Sequence, residues 1–296
     1  MSPLAFTLAL FGGLVVSAAS DSPTADCKLS FDGRVPLSST PETFSSEQSL
    51  FNPKYVIGQN LTWAKIIEFP EITPSRFDIP AQAKPLGLTL TDESTFLSGS
   101  EGVETALRRT ELLVNNKNNT VSGHKTWHFS FRTDPSRPLN YSHEYLLAFH
   151  EAADFQADFW SVKVGALLEG PAVPSQNLRV EGYKWDTPVK RFFEAPLVDA
   201  VWHNMGINLD FDNNMISVLY SIDNAPLEVV VPPTFNNISG KAPTTLGETH
   251  FGLQKRPTGA NLENFLFEGY QEKGINEAFF FGGIFQDDSS TGCVTL

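Results

Sequence analysis

The sequence predicts an all-β fold, a β-jelly roll or two-sheet antiparallel sandwich with few short helices, and three observations carry that expectation. From Leu86 onward apolar residues recur with a period of two almost everywhere, as they do along half-buried strands. The stretch Asp210-Phe211-Asp212-Asn213-Asn214 supplies Asp and Asn residues that tolerate positive φ in a tight hairpin turn. Convincing helical spacing is confined to Asn60–Phe69, where Trp63, Ile66 and Ile67 share a side and Pro70 ends the run. Strands that follow one another without helices between them pack as antiparallel sheets.

Taken in order, residues 1–19 read as a secretory signal: an apolar run from Leu4 to Val16, then Ser17-Ala18-Ala19. The run is too short to favour a membrane span, so a mature, secreted, extracellular chain is expected from about Ser20. Cys27 to Pro36 reads as a short strand and a turn, Ser38 to Ser49 as irregular, and Glu71 to Pro85 as a proline-rich loop. Strand patterns then cover Leu86–Thr91, Thr105–Val114, Thr126–Arg132, His143–His150, Ser161–Leu168, Leu178–Trp185, Gly206–Phe211, Met215–Ile222, Leu227–Val231, Thr249–Leu253 and Ala278–Phe285. No repeat or linker divides residues 20–296, which are expected to form a single domain.

Cys27 and Cys293 are the only cysteines. In an oxidising compartment they pair and fasten the ends together; the alternative is two unrelated buried thiols. Asn-x-Ser/Thr sequons at Asn60, Asn118, Asn140 and Asn237 fit a secreted glycoprotein. With 21 Lys and Arg against 34 Asp and Glu, the net charge is −13. An acidic surface disfavours nucleic acid, anionic membranes and polyanionic substrates, and leaves a neutral polymer as the easier partner. The chain is expected to work as a monomer. Aromatics make up 12%, with 24 Phe; most are expected in the core, and some faces are suited to stacking on sugar rings.

Chemistry centres on Leu107-Arg-Arg-Thr-Glu-Leu-Leu113. Alternation sends Arg109 and Glu111 to one strand face, where the guanidinium keeps the carboxylate ionised; the plainer alternative is a surface ion pair. On the second acidic strand, parity groups Glu144 with Leu146, Ala148 and His150, a setting that would raise its pKa. Carboxylates with split proton affinities serve as the acid and base of glycoside hydrolysis. His203, beside Trp202, is either a packed structural residue or a site residue. Lys163 is a charge within a strand and faces either solvent or ligand. HExxH, Cys-x-x-Cys, phosphate-loop, nucleophile-elbow and EF-hand patterns are absent from the sequence, so no metal or cofactor is expected.

Asp32-Gly-Arg-Val-Pro36, Phe51-Asn-Pro53, Leu61-Thr-Trp63, the Arg-Arg-Thr-Glu-Leu-Leu stretch, Leu139-Asn-Tyr-Ser-His-Glu-Tyr145 and Val201-Trp-His-Asn204 together resemble glycoside hydrolase family 131, secreted fungal β-glucanases. The resemblance runs from about Cys27 to the C-terminus. It implies a jelly roll that hydrolyses β-1,3, β-1,6 and β-1,4 glucans, with inversion favoured. Glu111 and Glu144 would be the catalytic carboxylates, His203 a further active-site residue, and Arg109 would position substrate; Lys163 joins it as a substrate-binding candidate from its place within a strand alone. Arg-Thr-Glu-Leu also resembles jelly-roll alginate lyases, but neither their Gln-x-His nor their C-terminal Tyr is found here. A non-catalytic glucan-binding sandwich is the other alternative.

Overall fold

The period-two stretches become strands. A computed structural model describes residues 27–58, 60–99, 102–115, 119–168, 174–237, 247–260, 262 and 264–296. In chain order the strands are β1 (Leu29–Asp32), β2 (Val35–Pro36), β3 (Ile67–Glu68), β4 (Ala83–Lys84), β5 (Leu86–Thr91), β6 (Thr95–Ser98), β7 (Val103–Leu113), β8 (His124–Thr133) and β9 (Glu144–Glu151). They continue with β10 (Asp158–Gly165), β11 (Asn177–Glu181), β12 (Arg191–Pro196), β13 (His203–Asp210), β14 (Met215–Ile222), β15 (Glu228–Phe235), β16 (Glu248–Lys255) and β17 (Asn276–Asp288). One sheet runs β15-β14-β13-β8-β17-β5-β3, with β1 also on β17; the other runs β12-β11-β10-β9-β16-β7-β6. The fold is the expected sandwich.

Aromatic residues join the two sheets. Trp127, Phe129 and Phe131 of β8 and Phe279 and Phe281 of β17 meet Trp160 of β10 and Phe251 of β16 in one buried cluster. Phe129 stacks on Trp160 at 6.4 Å and stands edge-on to Phe251 at 5.3 Å. Each fully buried Phe contributes about 1.5 to 3 kcal/mol. The phenylalanine-rich composition is thereby largely a matter of core, and the opposite face of the seven-stranded sheet is left to polar residues.

Cys27 and Cys293 form a disulfide that spans 266 residues and ties the start of β1 to the segment after β17. Asn60, Asn140 and Asn237 are exposed, while Asn118 and the expected signal, residues 1–19, lie outside the described residues. No helix among the described residues is long and apolar enough to cross a membrane.

Local readings needed correction where tertiary pairing outweighed the local pattern. The expected helix over Asn60–Phe69 is a single turn, α1 (Trp63–Ile66). Ile67 is already extended (φ −106°, ψ 137°) and pairs with Leu88 of β5. Trp63, Ile66 and Ile67 are all buried, so their spacing did mark the core side, but of a turn and a strand. The proline-rich stretch read as loop holds β4 and a second single turn, α2 (Asp78–Ala81). Strands β6 and β12 escaped the sequence reading. Their side chains are part-exposed and follow no clean alternation.

Candidate active site

Strand β7 places Leu112 in the core cluster and turns Arg109 and Glu111 to the outer face of the seven-stranded sheet. Arg109 Nε donates to Glu111 Oε1 at 2.9 Å and its Nη2 to Oε2 at 2.7 Å, a two-pronged clamp. Nη2 also donates to the Tyr55 hydroxyl at 3.1 Å, and the guanidinium lies over the Phe96 ring at 4.6 Å. Nε and Nη2 of Arg109, the residue expected to position substrate, hold the carboxylate and the Tyr55 hydroxyl. Directly across the ladder from Glu111 stands Gly252 of β16. A Cβ there would lie 2.3 Å from the Thr110 carbonyl oxygen and 2.6 Å from Glu111 Cα, so glycine is what lets β16 close against the site.

Two residues along β16, His250 shares that face. Its Nδ1 donates to Glu111 Oε2 at 3.1 Å, because an ionised carboxylate accepts only. The imidazole stacks on Phe149 at 4.4 Å with an interplanar angle of 6°, and Tyr55 meets it edge-on. The other ring nitrogen, Nε2, is buried with no hydrogen-bond partner among the described residues. It points at Glu151 Oε2, 3.6 Å away, and Glu248 Oε1, 3.8 Å away. Both exceed hydrogen-bond length.

The two glutamates flanking His250 differ in proton affinity. Burial opposes ionisation of Glu111, but the Arg109 charge and the bonds from His250 and Arg109 outweigh it and hold the pKa down to about 2. Glu151 is displaced upward, first by burial and then by Asp158 and Glu111, against the opposing pull of His250 and Arg109. One carboxyl is fixed in its ionised form, and its neighbour is biased to keep its proton.

A bulge in β9 brings Glu151 to this face. Val162 pairs with Ala148 and Lys163 with Leu146, so Leu147 is passed over and the alternation reverses. Tyr145, Leu147 and Ala148 belong to the core, and so does His150, stacked on Phe159. Phe149 and Glu151 face His250 instead. The parity that grouped Glu144 with Ala148 and His150 is therefore wrong beyond Leu146, and the sequence reading missed Glu151 and His250. A period-two signal for His250 existed in Glu248-Thr-His250-Phe-Gly252.

Glu144 lies on the same sheet face but elsewhere. The registers set it opposite Arg256, four residues along β16 from the Gly252 level of Glu111 and two strands away. On a flat sheet that is about 16 Å between Cα atoms. Arg256 Nη1 donates to its Oε1 at 2.6 Å, and Lys163 and Arg179 stand at 3.9 and 4.0 Å. The expected upward displacement is reversed. Burial does push it up, but Lys163, Arg256 and Arg179 together hold Glu144 below the ordinary carboxylate range. Lys163 is committed to Glu181, at 2.9 Å, as well as to Glu144.

His203 belongs to the other sheet. It is buried on β13 in line with the core residues Met205 and Ile207, with Nδ1 2.6 Å from the Tyr220 hydroxyl and Nε2 accepting from the Val198 amide at 3.0 Å. It does not join the Glu111 cluster.

The family model of the "Glycoside hydrolase 131 catalytic N-terminal domain" matches residues 29–292. A crystal structure of a GH131 β-glucanase catalytic domain from Podospora anserina superposes at a TM-score of 0.69 with 20% identity, covering 90% of this chain and 98% of that chain. The catalytic domain of a glycoside hydrolase family 131 protein from Coprinopsis cinerea gives 0.66 at 17% identity, covering 90% and 96%. No curated protein sequence matches.

Proposed function

The chain belongs to glycoside hydrolase family 131, and on that premise we propose that it is a secreted β-glucanase whose reaction centre is Glu111, His250 and Glu151. The activity, a glycoside hydrolase's, comes with the family. The substrate is a neutral β-glucan with β-1,3, β-1,6 or β-1,4 linkages. The acidic chain and the Podospora anserina relative, a β-glucanase, support it.

The observation that carries the assignment of residues is that one imidazole bridges the two carboxyl groups, with Nδ1 on Glu111 at 3.1 Å and Nε2, otherwise unpartnered among the described residues, 3.6 Å from Glu151; the opposite displacement of their proton affinities fits that order. Glu151 is the general acid: its proton goes to the glycosidic oxygen as the bond from that oxygen to the anomeric carbon breaks. Glu111 is the base. Three of its roughly four lone-pair sites accept from Arg109 and His250, which leaves one on Oε1 for the attacking water. The width of the imidazole and its two contacts sets a gap that suits the about 6.5 to 9.5 Å of inverting enzymes better than the about 5 to 5.5 Å of retaining ones. Glu144 and Lys163 belong to the ion-paired floor, and Arg109 acts through Glu111.

The mature catalytic domain is proposed to begin near Ser20 after signal cleavage, to act as a monomer and to carry glycans. The disulfide and the exposed Asn60, Asn140 and Asn237 support export. Product analysis on laminarin, pustulan and a mixed-linkage glucan, with the anomer of the first product read by NMR, tests the reading. Release of the inverted anomer is expected; no cleavage of any of the three would sink it.

A further inference from the structure

Immediately after Glu151 the chain makes a turn, Ala152–Ala157, closed by Ala152 N donating to the Ala157 carbonyl at 2.8 Å. Phe155 at its tip has φ +57°, a region bulky side chains enter only at an energetic cost, and the residue is 64% exposed. Beside it Trp185, 58% exposed, is held in place: Nε1 donates to the Gln156 carbonyl at 2.8 Å, and the Lys184 ammonium stands 5.0 Å from the ring. Lys184 also reaches the Phe265 ring at 5.8 Å, and Phe265 lies under the Arg256 guanidinium at 4.8 Å. An aromatic edge thus runs from the ion-paired floor to the turn that follows Glu151. Core packing accounts for none of the exposed area. The tryptophans Trp63, Trp127, Trp160 and Trp202 are buried, and Trp185 alone stands out into solvent.

We propose that Trp185, with Phe155 beside it, is a stacking platform for a glucosyl ring of the substrate on the leaving-group side of the scissile bond. This rests on the β-glucanase reading above. The side follows from the chemistry: the group that protonates the leaving oxygen is Glu151, and the platform is built on the turn leaving that residue, away from Glu111 and Arg109. A pyranose presents axial C–H bonds to an aromatic face, and an indole immobilised at Nε1 meets the ring without being ordered first. The site therefore favours chains that continue past the cleaved bond over substrates ending there.

The test uses the full mature chain as Glu151→Gln, which leaves saccharide intact, with laminarihexaose as probe. Saccharide is expected to shield tryptophan fluorescence from acrylamide, since Trp185 is the accessible indole. Trp185→Ala in that background should weaken laminarihexaose binding about tenfold, equivalent to about 1.4 kcal/mol. In the active enzyme it should raise KM on laminarin by a similar factor, with kcat within about twofold. Trp185→Tyr should restore both, because it keeps a stacking face while losing the Nε1 bond. An Ala variant that binds and turns over like wild type overturns the platform while leaving the β-glucanase reading intact; so does a Tyr variant as impaired as Ala, which would assign Trp185 to holding the turn. Shielding without any glucan cleavage by wild type would keep a sugar-stacking face but sink the enzyme reading, and with it the placement on a leaving-group side. Neither shielding nor cleavage would remove both.

Discussion

At one end of the charged sheet face, Glu111 and Glu151 flank His250; at the other, Glu144 and Glu181 are set among Lys163, Arg179 and Arg256. Both ends are rich in carboxylates and nitrogen bases and largely buried, Glu151 alone among the named residues being half-buried. They differ in how the charges are matched. Around Glu144 three cations converge and hold it ionised, with its oxygens taken by Arg256 and the Leu168 amide. Around His250, one carboxylate is clamped by Arg109 while the second has no arginine of its own, so the two separate in proton affinity. A dense ionic network neutralises itself; catalysis by proton transfer needs an uneven one.

The largest effect should come from the uneven end. Glu111→Gln and Glu151→Gln should each lower kcat on laminarin by about 10²- to 10⁴-fold with little loss of saccharide binding, read by steady-state kinetics and calorimetry. Near wild-type turnover in either variant would break the comparison at its catalytic end.

Glu144→Gln should cost stability, as Glu111→Gln also does by stranding Arg109, but should spare turnover. It leaves Arg256, Arg179 and Lys163 facing a neutral amide, and breaking a buried ion pair from one side costs about 3 to 5 kcal/mol. Thermal or denaturant unfolding should report that loss, while kcat at a temperature where the variant is folded stays within about fivefold. A loss of turnover as large as that of Glu151→Gln, in folded protein, would return Glu144 to the reaction.

The same contrast sets pH dependence. Glu111 has a folded pKa of about 2 against an ordinary 4.5, so its contribution, about 3 kcal/mol, is complete above pH 4.5 and is lost as pH falls towards 2. Glu151, displaced upward, has the opposite sign: its contribution is present below 4.5 and is lost as pH rises through its folded value. As the acid it must be protonated, so kcat/KM should fall along an alkaline limb placed above 4.5. Asp158 is among the charges raising Glu151. Asp158→Asn should move that limb to lower pH, by less than about one unit; a limb that moves upward or stays fixed would remove Glu151 as the acid.

What the sequence revealed and what it hid follow from range. Alternation placed β5 and β14 with their exact ends, and it put Arg109 beside Glu111, since both are matters of neighbouring residues. The bulge at Leu147 depends on how β10 and β16 pair with β9, so parity carried past it assigned His150 outward and Phe149 inward, the reverse of what is found. The contact of His250 with Glu111 joins residues 139 apart through the β7–β16 register. The alternation in Glu248-Thr-His-Phe-Gly252 gives the face of His250, but nothing local gives its partner. Glu151 was lost by one position, because the apolar pattern ended at His150.

The smallest effect on turnover should come from His203, the one histidine that the sequence had marked. It sits on the inner side of the eight-stranded sheet, and its two nitrogens meet the Tyr220 hydroxyl and the Val198 backbone. Burial and those neighbours make it a strut between β13, β14 and the segment entering β13. His203→Gln retains one polar end and loses the second, which leaves either the tyrosine hydroxyl or the Val198 amide short of a partner at a cost of about 1 to 3 kcal/mol. The midpoint of urea unfolding should drop accordingly with its slope unchanged, because the surface exposed on unfolding is the same. The kcat on laminarin should stay within about twofold. If folded His203→Gln instead lost turnover on the scale of the Glu111 and Glu151 variants, the eight-stranded sheet would have a direct part in the chemistry, and the division between a catalytic end and a structural remainder would have to be redrawn.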